Sequence, residues 1–94
     1  MHGEYKVPGG KLVVADLDIV QGCLHDVTLS GDFFLEPDAA LEAMTAAIEG
    51  APVDISEDDL ARRVQAAVSG AELLGITPAG VAIAVRRAIT GATV

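Results

Sequence analysis

The chain reads as an α+β domain: a small antiparallel sheet with three helices packed on one face. Two runs of period-two hydrophobicity around a Gly-containing turn predict the sheet. Three later apolar stripes at helical spacing, each closed by a glycine, predict the helices. The change of period falls once, after Phe34. Strands followed by helices, rather than alternating with them, point to α+β and away from a parallel sheet. With 94 residues, a single domain spanning 1–94 is expected.

The first strand is Lys11 to Val20. Val13, Ala15, Leu17 and Ile19 share one face, and Asp16 and Asp18 share the other, which describes a strand with one wet face. Gln21-Gly22 supplies the turn. From Cys23 to Ser30 the alternation resumes, with Cys23, His25, Val27 and Leu29 on one side. Helical signals begin at Glu36-Pro37-Asp38, where Pro37 suits a first helical position and acids suit the positive end of the helix dipole. Leu41, Met44 and Ile48 follow, then Gly50. Ser56 caps a second helix with stripe Leu60, Val64 and Val68, ending at Gly70. Thr77-Pro78 opens a third, with stripe Val81, Val85 and Ile89, ending at Gly91. Between the first two helices, Ala51 to Ile55 is either an extended connection or a short edge strand, since Pro52 holds Ala51 out of the helical region.

Composition narrows the function classes. Hydrophobic residues make up 51%, and the mean hydropathy of +0.45 excludes intrinsic disorder. Six basic residues stand against 14 acidic ones, a net charge of −8. That imbalance argues against a nucleic-acid partner, whose phosphates need bulk neutralisation, and against an anionic membrane surface. No run approaches the length of a membrane span. One cysteine excludes an internal disulfide and a cysteine-based metal site. The expectation is a soluble, cytoplasmic domain.

Candidates for catalysis are poor, and none is assigned. Catalysis needs a nucleophile or base held by partners. His2 sits at a terminus expected to fray. His25 falls on the apolar face of its strand and reads as structural. Cys23 reads as a small buried hydrophobe, and pairing with His25 would lack the third, orienting group. Asp16, Asp18 and Asp26 read as a solvated sheet face rather than a cation site, so no metal ligands are assigned. Arg62-Arg63 and Arg86-Arg87 are expected to face solvent or pair with acids.

Two segments stand out. Val7-Pro8-Gly9-Gly10-Lys11 precedes the first strand. It is either a plain turn or an anion contact in which Gly9 and Gly10 turn backbone N–H groups outward beside the Lys11 charge. Ser30-Gly31-Asp32-Phe33-Phe34 ends the hairpin and carries both phenylalanines. Adjacent residues in an extended segment face apart, so one ring is expected in the core and the other at an interface. Asp32 is expected to bond turn N–H groups.

These segments carry a resemblance. Tyr5-Lys6-Val7-Pro8-Gly9-Gly10-Lys11-Leu12-Val13, then Ser30-Gly31-Asp32-Phe33-Phe34, then three helices, resembles the small accessory domain of lipoate–protein ligases over about residues 4–90. Both elements are moderately specific, and neither is a catalytic signature. In that family the domain is either the C-terminal part of one polypeptide or the separate B subunit of a bipartite ligase. The short stretch before Tyr5 favours the separate subunit. The resemblance implies a fold similar to sulfur-transfer and iron–sulfur scaffold proteins. It also implies a noncatalytic role supporting ATP-dependent formation of lipoyl-adenylate by a large catalytic subunit. ATP, Mg and lipoate are then used by the complex, with no cofactor bound by this chain alone. Lipoyl-domain proteins are the indirect acceptors. On this view Gly9, Gly10 and Lys11 lie near the phosphates, and Gly31, Asp32, Phe33 and Phe34 meet the large subunit. The alternatives are a sulfur-acceptor or iron–sulfur assembly module working through Cys23, and an adaptor for an unrelated protein.

Overall fold

In a computed structural model the protein is described over residues 1–91. The elements are β1 (His2–Lys6), β2 (Leu12–Val20), β3 (Cys23–Gly31), β4 (Phe34–Glu36), α1 (Ala39–Ile48), α2 (Glu57–Ala67), β5 (Glu72–Leu74) and α3 (Pro78–Thr90). The first three strands form an antiparallel sheet in the order β1-β2-β3, and β4 and β5 form a separate two-stranded ribbon. The α+β class stands.

The core follows from the strand alternation. Val13, Ala15 and Leu17 of β2 and Leu24, Val27 and Leu29 of β3 are buried against Met44 and Ile48 of α1 and Val81 and Val85 of α3. Helix α3 crosses β1 and β2, α1 lies on β3, and α2 joins the two helices through buried Leu60 and Val64. Every buried side chain among the described residues is apolar. The caps form as their residues dictate: Ser56 Oγ accepts from the Asp59 N–H at 3.1 Å, and Thr77 Oγ1 accepts from the Gly80 N–H at 2.9 Å. Helix α1 starts later than Pro37, with Asp38 at its cap and Ala39 as its first residue.

The alternation in β3 breaks at Asp26, which takes a left-handed φ of 53°. The register slips there, so that Asp18 faces His25 while Asp16 faces Thr28. This bulge inverts the first half of the strand. Leu24 is buried, and His25, expected on the apolar face, is exposed. The bulge is held from α1: the Glu49 carboxylate accepts the N–H groups of Asp26 and Val27 at 3.0 and 3.1 Å. His25 Nδ1 lies 3.6 Å from the same carboxylate. No strand forms at Ala51 to Ile55. That segment docks along β3, with Leu24 N–H donating to Ala51 and Val53 N–H donating to Gly22, but only one bridge, Cys23 to Pro52, is made. Pro52 has no N–H to continue a ladder.

The N-terminus is ordered rather than frayed. β1 pairs with β2 from His2–Asp16 to Lys6–Leu12, and the Met1 ammonium donates to the Leu17 carbonyl at 2.7 Å. His2 stands between Glu4 and Asp16, at 2.6 and 2.7 Å. The Glu4 carboxylate, then Asp16, holds the imidazole above the ordinary histidine pKa. A raised pKa favours the folded state below the ordinary value, and this contribution disappears as pH rises through the raised one. An NMR titration is expected to place His2 above the ordinary histidine pKa, and Glu4→Gln should lower it. A His2 midpoint that does not move in Glu4→Gln would contradict this arrangement.

Candidate functional site

The Val7–Lys11 segment is the connection of a β1–β2 hairpin. Gly10 N–H donates to the Val7 carbonyl at 2.8 Å across Pro8-Gly9, and Gly9 has φ 73°. Proline at the second turn position and a left-handed glycine at the third make a type II turn. Lys11 N–H donates to the Gly75 carbonyl at 2.7 Å, and Lys6 Nζ donates to the Gly10 carbonyl at 3.0 Å. The N–H groups of Gly10 and Lys11 are therefore consumed inside the fold, which corrects the expectation of an outward N–H at Gly10. The cationic group presented is the exposed Lys11 side chain, whose ammonium has no partner among the described residues.

The Gly31–Phe34 segment lies beside that turn. At Gly31, φ is 150°, and a Cβ would stand 2.2 Å from the Leu12 carbonyl oxygen and 2.9 Å from the Phe33 ring. Only glycine admits both the backbone and the ring crossing it. Phe33 is half-buried and packs on the core, and Phe34 is 74% exposed. Asp32 is exposed, and its carboxylate makes no hydrogen bond among the described residues, so it does not brace the turn as expected.

The loop before α3 joins the two segments. Gly75 accepts from Lys11, and a Cβ on it would meet the Lys11 Cγ at 2.6 Å and the Phe33 Cβ at 3.7 Å. Gly75 follows β5, whose Leu74 is the cross-strand partner of Phe34. Leu74 is 59% exposed. Thus Gly75 brings Lys11 and Phe33 together, and the ribbon that precedes it sets Leu74 opposite Phe34. Sequence reasoning missed Leu74. The signal was slight, because Glu72-Leu73-Leu74 is three residues long.

The remaining candidates lie elsewhere. Cys23 is half-buried at the start of β3, and no hydrogen bond joins it to His25. Arg86 and Arg87 are half-buried, and neither pairs with an acid among the described residues. Arg86 donates to the Val53 carbonyl at 2.9 Å, and Arg87 donates to the Glu4 carbonyl at 3.0 Å with its guanidinium 4.9 Å from the Tyr5 ring centre. They fasten α3 to a loop and to β1. Arg62 pairs with Asp59 at 3.8 Å on an exposed helix face. Among the described residues no three His, Cys, Asp or Glu side chains are grouped to hold a metal ion. No helix among them is long and apolar enough to cross a membrane.

No protein-family model matches the chain, and neither does any curated protein. A solved structure does. It is a chain from an archaeal lipoylation system of Thermoplasma acidophilum, described as a bipartite lipoate protein ligase and its E2 lipoyl domain. The match has a TM-score of 0.69 at 20% identity and covers 95% of this chain and 92% of that one. The α+β fold of this chain is therefore similar, nearly end to end, to that of a component of a lipoylation system.

Proposed function

We propose that this chain is a noncatalytic small subunit of a lipoate–protein ligase, supporting formation of lipoyl-adenylate from lipoate and ATP by a separate catalytic subunit. The end-to-end fold similarity to a chain of an archaeal bipartite ligase system carries the reading. The meeting of the two ligase-like segments at Gly75 supports it. Adenylation develops negative charge at phosphorus, which a nearby cation stabilises. The Lys11 ammonium is the group for that task. The exposed Phe34 is the anchor for the catalytic subunit, and Gly31, Asp32 and Phe33 shape its setting. ATP, Mg and lipoate are substrates and reagents of the complex, lipoyl-domain proteins are the acceptors, and the setting is cytoplasmic. No observation favours a sulfur-transfer role for the half-buried Cys23.

The test is pyrophosphate release from ATP and lipoate. The purified chain alone is expected to release none. Added to the ligase catalytic subunit encoded in the same genome, it should raise the rate about tenfold or more, the scale of completing a site by ordering it. Phe34→Ala should weaken the complex by about 2 kcal/mol without lowering the melting temperature. Release by the chain alone, or an unchanged rate on mixing, would overturn the reading.

A further inference from the structure

The outer face of the β4–β5 ribbon combines two features that an isolated chain does not need. Phe34 and Leu74 are directly opposed across the ribbon, and both are largely exposed. Glu36 and Glu72 are also directly opposed and exposed. Residues two apart share a strand face, so both pairs lie on the same side, while Leu35 and Leu73 between them pack toward the core. Asp38 borders the same face, around a depression of about 400 Å³. A second depression of about 250 Å³ shares Phe34 and Asp38 with it and is also lined by Leu41.

None of the Glu36, Asp38 and Glu72 carboxylates makes a hydrogen bond or ion pair among the described residues. Like charges directly opposed weaken a strand pair, and this ribbon has only three residues a side. Exposed aromatic and aliphatic groups add a solubility liability. One kind of neighbour relieves both at once: an apolar side chain flanked by cations. A second copy of this chain, at net charge −8, would bring acids to acids. Anionic lipid and nucleic acid fail for the same reason.

We propose that the outer face of β4–β5 docks a segment of a protein partner that carries an apolar side chain flanked by lysine or arginine. In naming the ligase catalytic subunit as that partner, the proposal rests on the ligase reading. Phe34 and Leu74 receive the apolar group, and Glu36, Glu72 and Asp38 select its charge.

Two measurements test it. Calorimetric titration of the catalytic subunit should show affinity falling as salt rises. Glu36→Lys combined with Glu72→Lys, and separately Leu74→Ser, should each weaken binding about tenfold or more. The single variant Glu36→Lys places opposite charges across the ribbon, so its melting temperature should not fall, which keeps lost binding distinct from lost fold. In parallel, NMR titration with a Lys/Leu peptide should move the amide signals of Phe34, Glu36, Glu72 and Leu74, and a Glu/Leu peptide of equal apolar content should not. If the peptide moves these signals but the subunit fails to bind, the docking surface stands and the ligase reading falls. If the subunit binds wild type and variants alike, or both peptides leave the ribbon unmoved, the docking surface is wrong.

Discussion

Gly3→Ala is expected to cost about 3 kcal/mol or more, a large share of the roughly 5–14 kcal/mol available to 94 residues. Gly3 lies in β1 directly under α3. A Cβ there would stand 2.3 Å from the Ala88 nitrogen, 2.4 Å from the Ala84 oxygen and 2.8 Å from the Arg87 carbonyl carbon. All three are backbone atoms, so no rotamer change clears the space. Helix α3 would have to lift off β1, taking with it the Arg87 bond to the Glu4 carbonyl and its stacking on Tyr5. Buried Ala84 and Ala88 on the facing side permit this close approach, and a β-branched residue at position 3 would be worse. Urea unfolding should show a lower midpoint at an unchanged slope. A loss below about 0.5 kcal/mol, the usual range for a surface change, would mean that α3 does not press on β1 as described.

Lys11→Ala is expected to slow lipoyl-adenylate formation by about 10- to 1000-fold in the complex, equivalent to roughly 1.4–4 kcal/mol of lost transition-state stabilisation. Folding should change little, since an exposed lysine without a partner contributes little to stability. The effect belongs to the ammonium: the Lys11 and Gly10 N–H groups already bond within the fold. Lys11→Arg should therefore recover part of the rate, and Lys11→Met should not. The stem of Lys11 lies across Gly75, close to Phe33. Single-turnover adenylation with saturating catalytic subunit separates chemistry from assembly. Unchanged kinetics at wild-type affinity would return the segment to a hairpin turn with no further task.

The helices were legible because their signals are local. Ser56 and Thr77 cap with their own hydroxyls, and the stripes Leu60–Val64 and Val81–Val85 are buried as spacing requires. β2 was legible for the same reason. β1 was not, although His2, Glu4 and Lys6 alternate with Gly3 and Tyr5. A glycine at an inward strand position carries no hydrophobic signal, and its value appears only when α3 lies against it. The inversion of His25 was hidden because a bulge changes phase without changing composition. Asp26 tolerates a left-handed φ, but the Glu49 carboxylate that holds the bulge comes from 23 residues away. Arg86 and Arg87 misled in the same manner, since their acceptors are backbone carbonyls, which no sequence pattern marks.

At the candidate site, the exposure of one phenylalanine and the half-burial of its neighbour follow from strand alternation. The sequence could not assign which ring was which, because that depends on the side of β4 covered by core. By itself the sequence determined the class of fold, the caps that open α2 and α3 and the two unusual segments, all of which rest on residue type and short-range spacing. The tertiary structure alone decided that these segments meet across Gly75, that Leu74 stands opposite Phe34, and that Glu36 faces Glu72 without a cation. Those are pairings between chain positions about 40 to 60 residues apart, set by how the β4–β5 ribbon closes once α1 and α2 have packed.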